Sequence, residues 1–466
     1  MLLRTLPVLL LVPSTRASPR ARNASDVCAQ IADQISSTSG VFYPLSVQYA
    51  QDIKHWADSS TQQSACSVEP STPEDLSTVV KGGGHTTNVG FSSTTGVQIA
   101  MSRFDKVTLS ADKSTVDVGA GLIWDDVYSA LDGSGVNVVG GRVPGVGVAG
   151  FTLGGGYSWK TSQYGLTIDN IAAYELVLPN GTITTVTATD EDLWFALRGI
   201  VTKFTLVTHL QTDVWGGLVT ITASQFDKLN KAVADFSANS TDKKAAILPT
   251  YNSIVTQPGM SLIVFYDGPT PPDGLFDELL AVPHFTNDAK TRSFADLVGS
   301  IPSNNPLEGH RAAFTSVSVL QYTPAILQLV TNMTIEWGAR LALTDASPFI
   351  SFDIEPFDPS LFSYGAPSAY PPDRSRGLMP TNLYFSWQSD KSDDFIIGVM
   401  KNLADDIRAA AVAESQDVED AFIYGNYAPS DTPLVDVYGS NVDRLRQIRA
   451  TVDPGDVMGL AGGFRF

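Results

Sequence analysis

Cysteine, histidine and charge are all scarce in this chain: 466 residues hold two cysteines, five histidines and only 17% charged side chains. Cys28 and Cys66 have no histidine at ligand spacing, so no metal site is expected. Basic residues are fewer still, 30 against 49 acidic ones, for a net charge of −19. No Lys/Arg cluster forms the positive footprint that phosphate contacts need, which excludes a nucleic-acid partner. Long apolar runs are missing too. The run Leu6 to Val12 falls far short of the roughly 20 residues that cross a bilayer, so no membrane span is expected. There is no repeat at solenoid spacing and no low-complexity tract.

What is present points outward from the cell. Arg4, the short apolar run and Thr15-Arg16-Ala17 have the layout of a signal peptide over 1–17, which predicts a secreted, extracellular protein. Sequons at Asn23, Asn180, Asn239 and Asn332 fit a glycoprotein. In an oxidising compartment two cysteines without competitors most simply pair. A Cys28–Cys66 disulfide is therefore expected in an N-terminal segment, 18–68, with a contribution of about 4 kcal/mol from loop closure. The length exceeds what one core usually organises, so two lobes are expected.

Local patterns supply the elements. Helices are expected over 27–36, 225–236, 325–343 and 396–411, and Val442, Leu445 and Ile448 mark a last one. Ile123, Val127 and Leu131 recur at helical spacing, predicting a helix over 124–131. Strands are expected at 78–81, 97–101, 115–118, 262–265, 350–354 and 383–387. Tyr174 to Val186 reads as a hairpin turning at Asn180-Gly181, a place where Asn180 would be poorly accessible to glycosylation. Residues 364–380, rich in Pro, Ser and Gly, read as a long loop, and such loops are usually functional or disordered.

Two glycine clusters carry the chemistry. One is Lys81-Gly82-Gly83-Gly84-His85-Thr86; the other runs from Pro144-Gly145-Val146-Gly147 through Gly150 to Gly154-Gly155-Gly156. Without Cβ atoms such backbones can approach a ligand and turn several N–H groups toward one diphosphate. Each cluster alone could be a tight turn; two triple-glycine runs, one ending in histidine, favour a nucleotide site. A third Gly-x-Gly, Gly119-Ala120-Gly121, has Trp124 at the third glycine position, so it reads as a strand-to-helix turn and not a Rossmann site.

With Gly82-Gly83-Gly84-His85, Gly154-Gly155-Gly156, Tyr164-Gly165, Asp169-Asn170, Tyr424-Gly425-Asn426-Tyr427 and Asp453-Pro454 in view, residues 69–211 resemble the FAD-binding domain of the vanillyl-alcohol-oxidase superfamily (PCMH type). The mature chain resembles its berberine-bridge-enzyme-like branch, secreted fungal members above all. The resemblance implies an α+β, two-lobed fold. Its substrate lobe, 212–413, would be an antiparallel sheet covered by helices, and the segment 414–466 would return to the FAD lobe. It implies FAD bonded to a ring nitrogen of His85, in a site formed with Gly82, Gly83, Gly84, Thr86, Val146, Gly147, Gly150, Gly154, Gly155, Gly156, Tyr157, Ile200 and Asn426. Many relatives add a cysteinyl link where Val143 stands here, so a single bond is expected. Val146 takes the place of a small residue that admits O2, which favours an oxidase.

Hydride removal from an alcohol or C–H bond also needs a base. The resemblance assigns Tyr427. A tyrosine with an ordinary pKa of about 10 needs a partner to act near neutrality. The strand pattern puts Ser351, Asp353 and Glu355 on one face, and Asp353 is the partner expected. The partners implied are a small-molecule substrate (sugar, alcohol or secondary metabolite) and O2, acting on a monomer. One departure opens an alternative: Gly199 joins Ile200-Val201-Thr202 directly, where relatives carry a glycine-rich stretch. A non-catalytic relative with an impaired flavin pocket is that alternative.

Overall fold

The computed structural model describes residues 24–76, 85–197, 200–254, 256–302, 309–344 and 349–466. The proposed signal segment, Asn23, the strand expected at 78–81, Gly82, Gly83, Gly84 and Gly199 lie outside the described residues.

The first lobe is built on two small sheets. Gly40–Phe42 and Val97–Ile99 flank Cys66–Glu69, antiparallel and parallel respectively. Five antiparallel strands follow in the order Val107–Leu109, Thr115–Gly119, Ile200–Val207, Ile171–Val177, Ile183–Val186. The helix Trp124–Leu131 has the bounds its periodicity predicts, and Trp124, Val127, Tyr128 and Leu131 are the buried stripe that makes it amphipathic. The hairpin at Asn180-Gly181 is present, with Gly181 at φ +82° as the turn requires. Its Asn180 side chain is exposed, and its Oδ1 accepts from the Thr182 N–H at 2.9 Å.

Cys28 and Cys66 are bonded and completely buried, tying the helix Ala24–Gln34 to the strand Cys66–Glu69. Replacing both by serine is expected to remove about 4 kcal/mol of stability, given the 38-residue separation. Comparing urea midpoints of the oxidised protein and the double variant checks this, and equal midpoints would refute it.

The second lobe is one antiparallel sheet in the order Thr286–Asn287, Val214–Thr222, Gln257–Tyr266, Ala245–Ile254, Phe349–Ile354, Met379–Trp387, Arg311–Val319, with Lys290–Arg292 also paired to Val214–Thr222. Alternation gives the sheet two different faces. Ile350, Phe352, Ile354, Leu383 and Phe385 share one core with Ile326, Leu327 and Val330 of the helix Pro324–Leu341 and with Leu403 and Ile407 of the helix Asp393–Ala413. Ser351 and Asp353 point to the other face, across from Tyr384 and Asn382. That polar face looks toward the first lobe.

Contacts between the lobes involve the long loop and the returning segment. Arg374, in the long loop, donates to Asp169 Oδ1 at 2.7 Å. The strand Met379–Trp387 begins one residue before the loop's expected end. The segment after Val418 runs back to the first lobe: Asn88 Nδ2 donates to the Ala428 carbonyl at 2.9 Å, and Asn426 Nδ2 to that of Phe151 at 3.1 Å. Among the described residues no helix is long and apolar enough to cross a membrane.

Candidate functional site

Between the lobes lies a cavity of about 480 Å³. The first lobe lines it with His85, Thr86, Val146, Gly147, Gly150, Tyr157 and Ile200, the sheet with Phe314, Asp353, Glu355, Asn382 and Tyr384, and the returning segment with Asn426 and Tyr427. Residues more than 300 positions apart in sequence therefore share one wall only because the chain comes back.

His85 is half-buried, and desolvation pushes its pKa down to about 4. Its ring is thus neutral near pH 7, with a nitrogen lone pair available. Gly150 stands on the short helix Val148–Leu153, and the space where its side chain would be is open. Val146 is half-buried in the cavity wall, and Val143 packs on the first lobe's core.

The triple glycine at 154–156 is closely packed. None of Gly154, Gly155 and Gly156 lines the cavity. A Cβ on Gly154 would lie 2.1 Å from Asn426 Oδ1, and Gly156, at φ +83°, is wedged against Phe151 and Thr167. The lack of a side chain at Gly154 is what lets Asn426 of the returning segment approach.

The hydrogen-bond partner of Tyr427 differs from the one expected. Tyr427 donates to Glu355 Oε1 at 3.0 Å, and Arg142 Nη2 donates to Glu355 Oε2 at 2.6 Å and to the Tyr427 hydroxyl at 3.3 Å. Asp353 is not the partner: it accepts from Ser351 Oγ at 2.6 Å and Asn382 Nδ2 at 3.0 Å. Both acids sit on the same strand face, and the one two residues further along reaches the tyrosine. Burial raises the pKa of Glu355, and Arg142 opposes that rise. Burial, then the Glu355 charge, holds Tyr427 well above the ordinary tyrosine value. Tyr427 is therefore a proton donor at rest.

Arg142 was not anticipated from sequence, although one signal existed. It is the sole charged residue between Asp132 and Lys160. Its guanidinium lies 5.5 Å from the Phe357 ring, and its carbonyl accepts from Trp159 Nε1 at 3.1 Å. With Arg142 8% and Glu355 1% exposed, the pair is buried. Arg142→Met should therefore cost about 3–5 kcal/mol by stranding the carboxylate. Chemical denaturation checks this, and an unshifted midpoint would show that water reaches Glu355.

The residues fit a flavin. His85 offers a neutral ring nitrogen, Gly150 leaves room for a ligand, and Asn382 Oδ1 is buried in the cavity wall without a hydrogen-bond partner. Residues 59–187 match the FAD binding domain family. An uncharacterized FAD-linked oxidoreductase of Arthroderma benhamiae is 33% identical over 317 residues, 62% of this chain and 62% of that protein. Over that stretch the chain is similar to this fungal FAD-linked oxidoreductase. The alignment spans under two thirds of that relative's length. The FAD-dependent monooxygenase drtC of Aspergillus calidoustus is 26% identical over 447 residues, covering 88% of this chain and 84% of that one.

The chain also shares its fold with solved flavin oxidases. The glucooligosaccharide oxidase of Acremonium strictum, described as carrying 6-S-cysteinyl, 8α-N1-histidyl FAD, superposes with a TM-score of 0.73 at 17% identity over 93% of this chain and 98% of that one. The two-lobed α+β architecture expected from the motifs is the one observed.

Proposed function

We propose that this FAD-linked oxidoreductase is a secreted oxidase. It would take hydride from an alcohol, sugar or secondary metabolite and pass the electrons to O2, with FAD tethered through His85 alone. The observation that carries this reading is the Tyr427–Glu355–Arg142 group opening on the same cavity as His85. When bound, the flavin supplies the hydride acceptor. The chain's own residues handle the proton. A substrate hydroxyl at Tyr427 Oη would lose its proton to that oxygen as the proton already there moves 3.0 Å to Glu355 Oε1. Arg142 favours the ionised form of Glu355 that would accept it, against the burial that disfavours that form. Asp353 and Asn382, bonded to each other beside Glu355, present polar atoms that orient the substrate.

Val143 in place of cysteine supports a single tether, and Val146 in the cavity wall supports reaction with O2. Secretion, a monomeric state and glycosylation belong to the same proposal; the exposed side chains of Asn180, Asn239 and Asn332 fit it. The test is purification followed by a peroxide-release screen over sugars and alcohols. The protein should be yellow and release one peroxide per substrate oxidised. A colourless protein despite added FAD would favour the non-catalytic alternative, and O2 consumed without peroxide would overturn the oxidase reading.

A further inference from the structure

Three consecutive glycines precede His85, so its neighbours on that side provide no side chain that could orient the imidazole. The orienting contact comes from outside the loop. The indole of Trp56 lies parallel to the His85 ring, 4.9 Å between centroids with an interplanar angle of 12°. Trp56 stands three residues before the matched FAD-binding domain begins. Its other contacts are Phe314, at 5.8 Å and 23°, and Tyr384, at 5.3 Å, both from the cavity wall of the second lobe.

The residues after Trp56 reinforce the arrangement. Ser60 Oγ donates to the Thr86 carbonyl at 2.8 Å, immediately after His85. The Asp58 N–H donates to the His310 carbonyl at 3.0 Å, just before the strand Arg311–Val319. On the other side of Trp56, His55 is held between the Ile53 carbonyl and Ser92 Oγ, each at 2.8 Å from a ring nitrogen. The segment 55–60 is thus fastened to the His85 loop and to the second lobe at once.

We propose that this segment is the bracket that presents His85 for flavin attachment, with Trp56 as the positioning residue and Ser60 as its backbone support. The proposal rests on the reading that His85 carries the flavin. In that attachment a His85 ring nitrogen bonds to the flavin's 8α carbon, one C–H bond on that carbon and the imidazole N–H bond break, and the electron pair and both protons pass to dioxygen, giving hydrogen peroxide. A ring free to rotate would seldom aim its nitrogen at that carbon. An aromatic stacking contribution of 0.5–1.5 kcal/mol converts to about a two- to tenfold effect on the attachment rate.

The experiment follows attachment over time in flavin-poor preparations given saturating FAD, reading in-gel flavin fluorescence after denaturation. Thermal unfolding and the dissociation constant for non-covalent FAD are measured alongside. Trp56→Leu should slow attachment about two- to tenfold while leaving non-covalent affinity unchanged, and Trp56→Phe should stay within about twofold of wild type because stacking is kept. Wild-type attachment in Trp56→Leu, or an equal loss in Trp56→Phe, overturns the proposal. If Trp56→Leu does not fold, Ser60→Ala carries the test, expected about threefold slower from the lost hydrogen bond, and a wild-type rate there overturns it. Wild-type protein without covalent flavin, or His85→Ala that keeps it, defeats the anchoring reading itself. Covalent flavin lost only in His85→Ala, with both bracket variants at wild-type rate, defeats the bracket alone.

Discussion

His85→Ala is expected to turn a permanently yellow protein into one that loses its flavin to the supernatant on acid precipitation, while wild-type protein keeps its colour in the pellet. The reason is local. Among the described residues of the cavity wall, His85 is the one histidine, and desolvation keeps its ring neutral down to about pH 4, the form that can bond to carbon. Val143 offers no sulfur for a second tether, so nothing would remain to hold the cofactor covalently. The same change should lower the flavin's midpoint potential, because a nitrogen bonded at 8α withdraws electron density from the ring system. Turnover should fall with it. Coloured, acid-stable flavin in His85→Ala would sink the assignment.

Tyr427→Phe and Glu355→Gln should each lower kcat by about 10²–10⁴, the range for losing a positioned proton acceptor. The double variant should be little worse than either single one, since the two groups act as a unit. Additive losses in that cycle would count against the relay. The pH profile gives an independent check. The relay needs ionised Glu355, so activity is present above its pKa and is lost as pH falls through it. Burial raises that pKa above the ordinary 4.5, which places the acid limb higher than an exposed glutamate would. Arg142→Met should move the limb up again, because Arg142 is what holds the value down. Glu355→Gln should abolish it.

Much of the fold was legible because local rules and tertiary packing agree. The helix at 124–131, the hairpin at 180–181 and the strand pattern that puts Ser351, Asp353 and Glu355 on one face all follow from periodicity and turn chemistry. Misreadings arose where a residue's role depends on what arrives from elsewhere. Gly154 reads as a ligand loop until Asn426 is seen to occupy the space over it. Asp353 and Glu355 are equivalent by parity, and only the position of Tyr427, more than 70 residues away, separates them. Arg142 is marked in sequence only as a lone charge and Trp56 not at all, since their partners Glu355 and His85 lie in other segments.

Sequence alone pointed to two lobes and to pairing of the N-terminal cysteines, and it singled out His85 as the flavin anchor proposed above. Each is read from length or residue type: more chain than one core organises, two thiols without competitors, and a histidine ending a glycine run. Tertiary structure decided which acid accepts from Tyr427, which glycine lies against Asn426, and which ring stacks on His85. Those are distances between segments, set when the second lobe's polar face and the returning chain close on the first. A single tether through His85 still rests on the same residue; the fold adds Trp56 beside it and the Tyr427–Glu355–Arg142 group in the wall of the same cavity.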